Sequence, residues 1–436
     1  MMKKINDFIN SIKDKYLSKI SFIILLLWTT SPVVAYIIKF LFNEDYKDYY
    51  TNIIYIIGSI GIIMYMIFFV KLKNDEFNIK KFIPEVLITI LLIISYFSSI
   101  LCKNPKLAFF GEGYRNEGLI IYIMYIGFIL LSSILNDQKY IRYIFKSIIL
   151  SGLIITILSF FKKDFNYHNP NIFYQFNHYG YYLMINTMLT AFMIIDNKKI
   201  IKKILYSLIY IFFLYLLIRN NTFGCFLAIA ISFIFLFIYS ITKKYERKNV
   251  IIIITIFIIT SFCISFFDIK IGENVNHKNS KGIVSDNFLT ISKDIKNIIN
   301  KDKKGLEKAG TGRGLLWKEA INYTLKHPLL GGGMEHLRNY YHKKGITYND
   351  RPHNIILQVS SFIGIPGAII YIIFILYIAI SNYKLLNNTV HIMTYFTAMC
   401  YFISSLFGNS MYYTSPYFMI LLGLLIGFSR CKKLSN

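Results

Sequence analysis

Apolar positions in this chain come in unbroken runs instead of on one face of an amphipathic element. The stretch VIIIITIFIITSFCISFF over 250–267 is representative. Apolar runs of about 18 or more residues predict membrane-spanning helices, because a helix of that length crosses the hydrocarbon layer. The runs predict about twelve spans, at approximately 20–41, 50–70, 82–101, 118–135, 143–161, 178–196, 204–218, 223–241, 250–267, 354–379, 390–406 and 411–428. A membrane β-barrel is excluded, since its strands would alternate apolar and polar residues. Helices remain, because lipid cannot satisfy an open backbone. The expected fold is therefore an all-α polytopic membrane protein with about twelve transmembrane helices and a large external loop between the ninth and tenth. That divides the chain into a membrane region at 1–267, an external loop at 268–353 and a second membrane region at 354–436.

Composition supports this reading. Of the 436 residues 55% are apolar and 16% charged, against about 25% charged in an ordinary soluble domain. The apolar fraction excludes a disordered chain. The net charge of +25 would suit nucleic acid only if the cations formed a solvated basic surface. Here they cluster in short segments between apolar runs, so the expected partner is the lipid bilayer and no nucleic acid. Lys and Arg in the segments on the N-terminal side of the membrane outnumber those in the short loops opposite by about three to one. The positive-inside rule then puts both termini in the cytoplasm and 268–353 outside. The lysine-rich N-terminus resembles a signal peptide, but the following run is too long and has no small-residue cleavage site, so it reads as an uncleaved first span. The five cysteines form neither a disulfide framework nor a metal-ligand spacing, and no cofactor is implied.

The external loop has two parts. Residues 270–312 are rich in Lys and Asn and read as a linker, with one amphipathic surface helix suggested by Phe288, Ile291, Ile295, Ile298 and Ile299. From Gly312, GRGLLWKEAINYTLKHPLLGGG predicts a helix of about fourteen residues ended by His327-Pro328 and a glycine run. Its apolar stripe would be Leu315, Leu316, Ala320, Ile321 and Leu325.

Several residues on the external side could carry chemistry. His353 stands in RPHNIILQ, where Pro352 leads into a helix beginning at about His353 or Asn354. The partial positive charge of a helix N-terminus disfavours imidazolium and favours a nearby phosphate. Such a histidine would stay neutral and able to accept a proton; the competing reading is a simple His/Asn cap. Arg313, between Gly312 and Gly314, offers a planar fork of donors to phosphate oxygens, or else snorkels at the interface. Arg219 in LLIRNNTFGCFL, Arg115 in FFGEGYRNEGLI and His178 in FNHYGYYL each read alone as interfacial anchors. Together they put several cations and two histidines at one membrane face, which an anionic, membrane-borne substrate would require. No charge relay of the pump type is visible.

The stretch RGLLWKEAINYTLKHPLLGGGMEHL, followed by RPHNIILQVSSFIGIPGAIIYIIFIL, resembles the O-antigen ligase/polymerase superfamily. The matching pattern is Arg313, Trp317, the His327-Pro328-Leu329 turn with Gly331 and Gly333, His353-Asn354, and Gly364-Ile365-Pro366-Gly367. The specific resemblance covers about 205–375; the N-terminal spans match in topology only. It implies metal-independent transfer of a glycan from an undecaprenyl-pyrophosphate carrier to an acceptor sugar hydroxyl outside the membrane. His353 would be the base, Arg313 would hold the pyrophosphate, and Asn354 would accompany His353 at the substrate. The family also uses an arginine near the start of the eighth span. Here Phe223 stands at that place, leaving Arg219, four residues earlier, or Arg115 as the second cation, with His178 as a further substrate contact.

Polymerisation and ligation share these motifs. The Ile-, Lys- and Asn-rich composition suits an AT-rich, Gram-positive source and hence a capsule or cell-wall glycan. An O-linked oligosaccharyltransferase acting on protein would differ only in acceptor. A flippase of lipid-linked oligosaccharide would fit the span count too, but would be expected to show pseudo-symmetric halves and broken helices at mid-membrane, which the sequence lacks.

Overall fold

The computed structural model describes residues 14–42, 45–72, 79–112, 115–135, 137–160, 172–173, 175–267, 303–347, 349–409 and 411–432, with Ser292, Lys293 and Lys296 between them. The surface helix expected around Phe288–Ile299 lies almost entirely outside the described residues. Among the described residues the regular structure is helical. The expected first span is α1 (Asp14–Thr29) and α2 (Ser31–Leu41), broken at Thr30 just before Pro32. There follow α3 (Lys47–Val70), α4 (Ile83–Leu101), the short α5 (Pro105–Phe110), α6 (Leu119–Ser133), α7 (Gln138–Phe160), α8 (Phe176–Asp196), α9 (Ile200–Asn220), α10 (Phe223–Thr242) and α11 (Arg247–Phe267). The segment after α11 contributes α12 (Lys303–Lys326) and α13 (Leu337–Lys343), followed by α14 (Ile355–Tyr383), α15 (Thr389–Ser405) and α16 (Ser415–Lys432).

Among the described residues eight helical segments are long and apolar enough to cross a membrane: the α1–α2 unit, α3, α4, α7, α9, α10, α11 and α14. Helices α6 and α16 are shorter apolar helices. Spans were also expected at α8 and α15, and their polarity has a structural cause. Nearly every residue of α8 from His178 to Ile195 is buried by protein, Asn186, Thr187 and Thr190 included. An interior helix can carry polar groups because it faces other helices and not lipid.

Two close packings fix the inner bundle. A Cβ at Gly58 of α3 would lie 2.7 Å from Met124 Cα of α6, and one at Gly61 would run into the Gly127 carbonyl. Small residues thus let these two helices approach backbone to backbone, as membrane helices do. At the end of the bundle nearest the C-terminus, Arg430 of α16 pairs with Glu85 of α4 and donates to Tyr65 Oη of α3 at 3.2 Å. Its guanidinium also covers the rings of Phe68 and Phe82 at 5.2 and 5.0 Å.

The segment between α11 and α14 differs from expectation. Helix α12 starts at Lys303, nine residues before Gly312, and is 24 residues long. It passes through Gly310 and Gly312 at φ of 60° and 91°, so Arg313 lies inside the helix and follows a local distortion instead of opening it. Leu316 and Ala320 of the expected stripe are buried, joined by Tyr323, while Ile321 and Leu325 are exposed. The buried set forms a second core with Ala108, Leu119, Leu337, Tyr341, Phe362 and Ile363. This core seats the α12–α13 module on α5, the start of α6 and the first half of α14.

Candidate active site

Glycine chemistry explains how the site is held. Helix α14 breaks at Ile363 (φ −126°) and Gly364 (φ 79°), a left-handed conformation that costs a side-chain-bearing residue about 1–2 kcal/mol. The break frees carbonyl groups, and the glycine turn after α12 takes them. Gly332 N–H donates to Ser361 O at 3.0 Å and Gly333 N–H to Phe362 O at 3.1 Å, while Ile365 N–H donates to Pro328 O at 2.8 Å. Ser98 of α4 also donates to Phe362 O, at 2.7 Å. A Cβ at Gly364 would collide with Leu329 and Pro328, and one at Gly331 with the Phe362–Ile363 backbone. The HPLLGGG and GIPG motifs are thus two halves of one joint.

His353 is placed just above that joint. Asn354 caps α14, its Oδ1 accepting from Ile356 N at 3.0 Å and Leu357 N at 3.1 Å. Its Nδ2 donates to Leu406 O at 3.1 Å, fastening the cap to the end of α15. Asn354, expected beside the substrate, is therefore engaged as a cap. His353 precedes it at φ 54°, a strained conformation for a histidine. Its Nε2 lies 3.2 Å from Asn349 Oδ1. With that oxygen as acceptor, Nε2 carries the hydrogen and Nδ1 keeps the lone pair. Nδ1 is enclosed and has no hydrogen-bond partner among the described residues. Burial, then the charges of Arg313 and Arg115, push the imidazole pKa down to about 3, against the opposing pull of Asp350. Neutrality was expected from a helix N-terminus; burial and two arginines account for it instead.

Three arginines surround this imidazole, with different partners. Arg115, 2% exposed, meets Asp350 through Nε and also through Nη2, at 3.1 Å from Oδ1. Arg351, absent from the sequence expectations, is 1% exposed and pairs with Glu335 and, at 3.0 Å, with Glu117. Burial alone would lower the Arg351 pKa, but Glu335, Tyr122 and Glu117 raise it above the usual arginine value. Glu117 accepts from Tyr125 as well, and its own pKa is raised by burial despite Arg351 and Arg115. Arg313 is half buried, and no carboxylate pairs with it among the described residues. Burial depresses its pKa, and its electrostatic neighbours are Tyr181 of α8 and Cys225 of α10.

His178 joins the same field. It is fully buried in the first turn of α8, 5.8 Å from the Tyr413 ring, and neither ring nitrogen has a hydrogen-bond partner among the described residues. Arg115, Asp350, Arg351 and His353 all act on it. The structure thus brings together His353, Arg313, Arg115 and His178. Arg219 stands apart from that set. It lies in the last turn of α9, and the left-handed Asn221 (φ 61°) ends that helix before Phe223 starts the next. The one-turn relation expected between Arg219 and Phe223 fails, because no single helix joins them, and Arg219 is not among the charges acting on His353. The sequence signal for Arg351, Glu117 and Glu335 was available. Each is a charged residue beside an external glycine or proline turn, in GEGYRNEG, GGGMEHL and YNDRPHN.

Two cavities adjoin the site. One of about 150 Å³ lies among α4, α6, α14 and α16, with a lining that is almost wholly apolar and includes Ile88, Ile126, Phe362, Phe374 and Leu422. The other, of about 40 Å³, holds Glu117 and Arg351. Tyr122, Gln358, Tyr371 and Phe418 line both, so the apolar space and the charged cluster share a wall. Among the described residues no group of three or more His, Cys, Asp or Glu side chains has the arrangement to hold a metal.

In comparison with known proteins, residues 208–372 match the family described as O-antigen ligase. The matched segment runs from within α9 to the middle of α14 and contains Arg219, Arg313 and His353. No curated protein matches the chain.

Proposed function

With residues 208–372 placing the chain in the O-antigen ligase/polymerase superfamily, we propose that it transfers a glycan from an undecaprenyl-pyrophosphate-linked donor to an acceptor sugar hydroxyl. The reaction takes place at the external membrane face and polymerises or ligates a cell-surface polysaccharide. A role for this multi-pass membrane protein among membrane glycan ligases and polymerases follows from the family. The donor, the face and the residue assignments are our reading. The observation that carries it is the meeting of Arg313, a guanidinium with no carboxylate partner among the described residues, and His353, an imidazole with an enclosed lone pair.

The chemistry follows from those two groups. The acceptor O–H approaches the anomeric carbon, and its proton passes to His353 Nδ1 as the new C–O bond forms. The bond from that carbon to the pyrophosphate oxygen breaks, and its electron pair leaves with the pyrophosphate. Negative charge grows on the departing oxygen, and Arg313 stabilises it; such preorganised donors commonly contribute about 3–4 kcal/mol to a transition state. The donor also tunes the base. A pKa near 3 makes a weak proton acceptor, and part of that depression comes from Arg313 and Arg115. Pyrophosphate bound at Arg313 cancels part of that field, so the imidazole becomes more basic when a donor is present. Arg115 and Arg351 hold the walls through their carboxylates, and His178 closes the inner side.

The test is turnover in proteoliposomes carrying purified protein, a synthetic lipid-linked repeat and a fluorescent acceptor. Transfer to the acceptor, lost in Arg313→Lys with folded protein retained, supports the reading. Movement of intact lipid-linked repeat across the bilayer without glycosidic bond formation would identify a flippase instead.

A further inference from the structure

A larger cavity, of about 860 Å³, opens in the α12–α13 module and is not used by the chemistry above. Its walls come from the segment after α4, the end of α12, the glycine turn and α13. Two tyrosine rings stand together there, Tyr323 and Tyr340, with centroids 4.9 Å apart. The Tyr323 ring also meets His327 at 5.1 Å. Asn104 and Asn339 contribute amides, and Lys103 and Lys343 contribute exposed cations. Lys326 and Lys344 lie 5.3 and 5.9 Å from the centre of the Tyr340 ring. Among the described residues no Asp or Glu lines the cavity. The nearby Glu319 accepts the Tyr340 hydroxyl at 3.0 Å and Asn322 Nδ2 at 3.4 Å.

These features specify a ligand class. Aromatic faces pack against the apolar faces of sugar rings, and side-chain amides both donate to and accept from hydroxyls. A surplus of lysines without a lining carboxylate selects a negative charge. The volume lies within the range usual for small-molecule sites, roughly 300–1,000 Å³. The cavity is also built into the same segment as the base. His336 in its wall is pinned, with Nδ1 at 2.9 Å from Met334 O and Nε2 accepting from Asn104 N at 3.1 Å. The preceding residue, Glu335, pairs with Arg351, two residues before His353. A phospholipid headgroup would engage the lysines but would leave the paired rings and the two amides unused.

We infer that this cavity binds an anionic saccharide, one carrying a carboxylate, phosphate or sulfate, and presents it as the acceptor. The acceptor role rests on the glycosyl-transfer reading; the saccharide site does not. The test titrates a glucuronate-containing tetrasaccharide, and its neutral carboxyl-reduced counterpart, onto the full chain in phosphatidylcholine nanodiscs. The acidic compound should bind about tenfold more tightly than the neutral one. The double variant Lys103→Gln/Lys343→Gln should erase that preference while donor binding stays at the wild-type level. His353→Ala should bind the acidic tetrasaccharide as the wild type does. Equal affinity for both compounds, or an unaltered preference in the double variant, would overturn the site. Displacement of the tetrasaccharide by phosphatidylglycerol in the nanodisc would assign the cavity to a lipid headgroup and overturn it as well. Selective binding in a protein that transfers nothing from a lipid-linked donor would remove the transfer reading and leave the saccharide site standing.

Discussion

At the scale of single residues the site separates cations that build from a cation that acts. Arg115 and Arg351 are buried against Asp350, Glu117 and Glu335, and removing one member of a buried pair commonly costs about 3–5 kcal/mol. Arg115→Ala should therefore lower the yield of folded protein, read as a loss of monodisperse material and a lower unfolding temperature. Among the described residues Arg313 has no such carboxylate partner to strand. Arg313→Lys should fold normally yet lose about 2–4 kcal/mol of transition-state stabilisation, because a point charge does not reproduce the planar fork; kcat/KM for the lipid-linked donor reads this directly. Arg219→Ala, outside the field around His353, should change that constant little. The pH dependence follows from the sign of the His353 shift. A histidine with its pKa lowered to about 3 remains neutral as pH falls through 6.5, so kcat/KM should show no histidine inflection there. The acid limb of kcat, which reports the donor complex, should lie at higher pH than that of kcat/KM, because bound pyrophosphate offsets the arginines. Coincident limbs near pH 6.5 would mean a solvated, unperturbed imidazole.

At the scale of elements the joint between the glycine turn and the broken α14 determines where His353 stands. Gly364→Ala places a side chain at φ 79° against the Pro328–Leu329 backbone, and Gly331→Ala meets Phe362 in the same way. Each should cost at least about 1–2 kcal/mol and depress transfer more than donor binding, measured by thermal unfolding alongside turnover. Much of the arrangement was legible in the chain. Apolar runs located the helices to within a few residues, since nothing but a helix satisfies backbone in lipid. The motifs flagged His353 and Arg313, and the clustering of Arg115 and His178 with them was expected from the span count, as their shared field now shows. The start of α12 was not legible, because glycines at 310 and 312 read as a helix boundary and here sit inside a distorted helix. The Arg219–Phe223 relation failed for a related reason. Asn221 adopts a left-handed turn that spacing alone does not reveal. The pairing of Arg351 with Glu117 was hidden by distance along the chain, as the two lie more than two hundred residues apart.

At the scale of the whole molecule, interior helix α8, the α3–α6 glycine contact and the Arg430–Glu85 clasp create a frame on which the α12–α13 module is seated. Gly127→Val would drive a branched side chain into the Gly58 carbonyl. It should destabilise the bundle by several kcal/mol, well beyond the roughly 1–3 kcal/mol of ordinary overpacking; a detergent-solubilised unfolding titration reads this. Orientation is a separate prediction. With Lys and Arg concentrated on the N-terminal side, Ser280→Cys in a cysteine-free background should react with an impermeant maleimide in intact cells. The claim that joins frame, motif and chemistry is that His353 takes the acceptor proton while Arg313 holds the donor. The most direct measurement is donor binding and single-turnover transfer compared in purified His353→Ala. The account predicts lipid-linked donor bound within about twofold of wild type and transfer reduced by roughly 10²–10⁴-fold. Full transfer rate in that variant would contradict it and pass the role of base to His178.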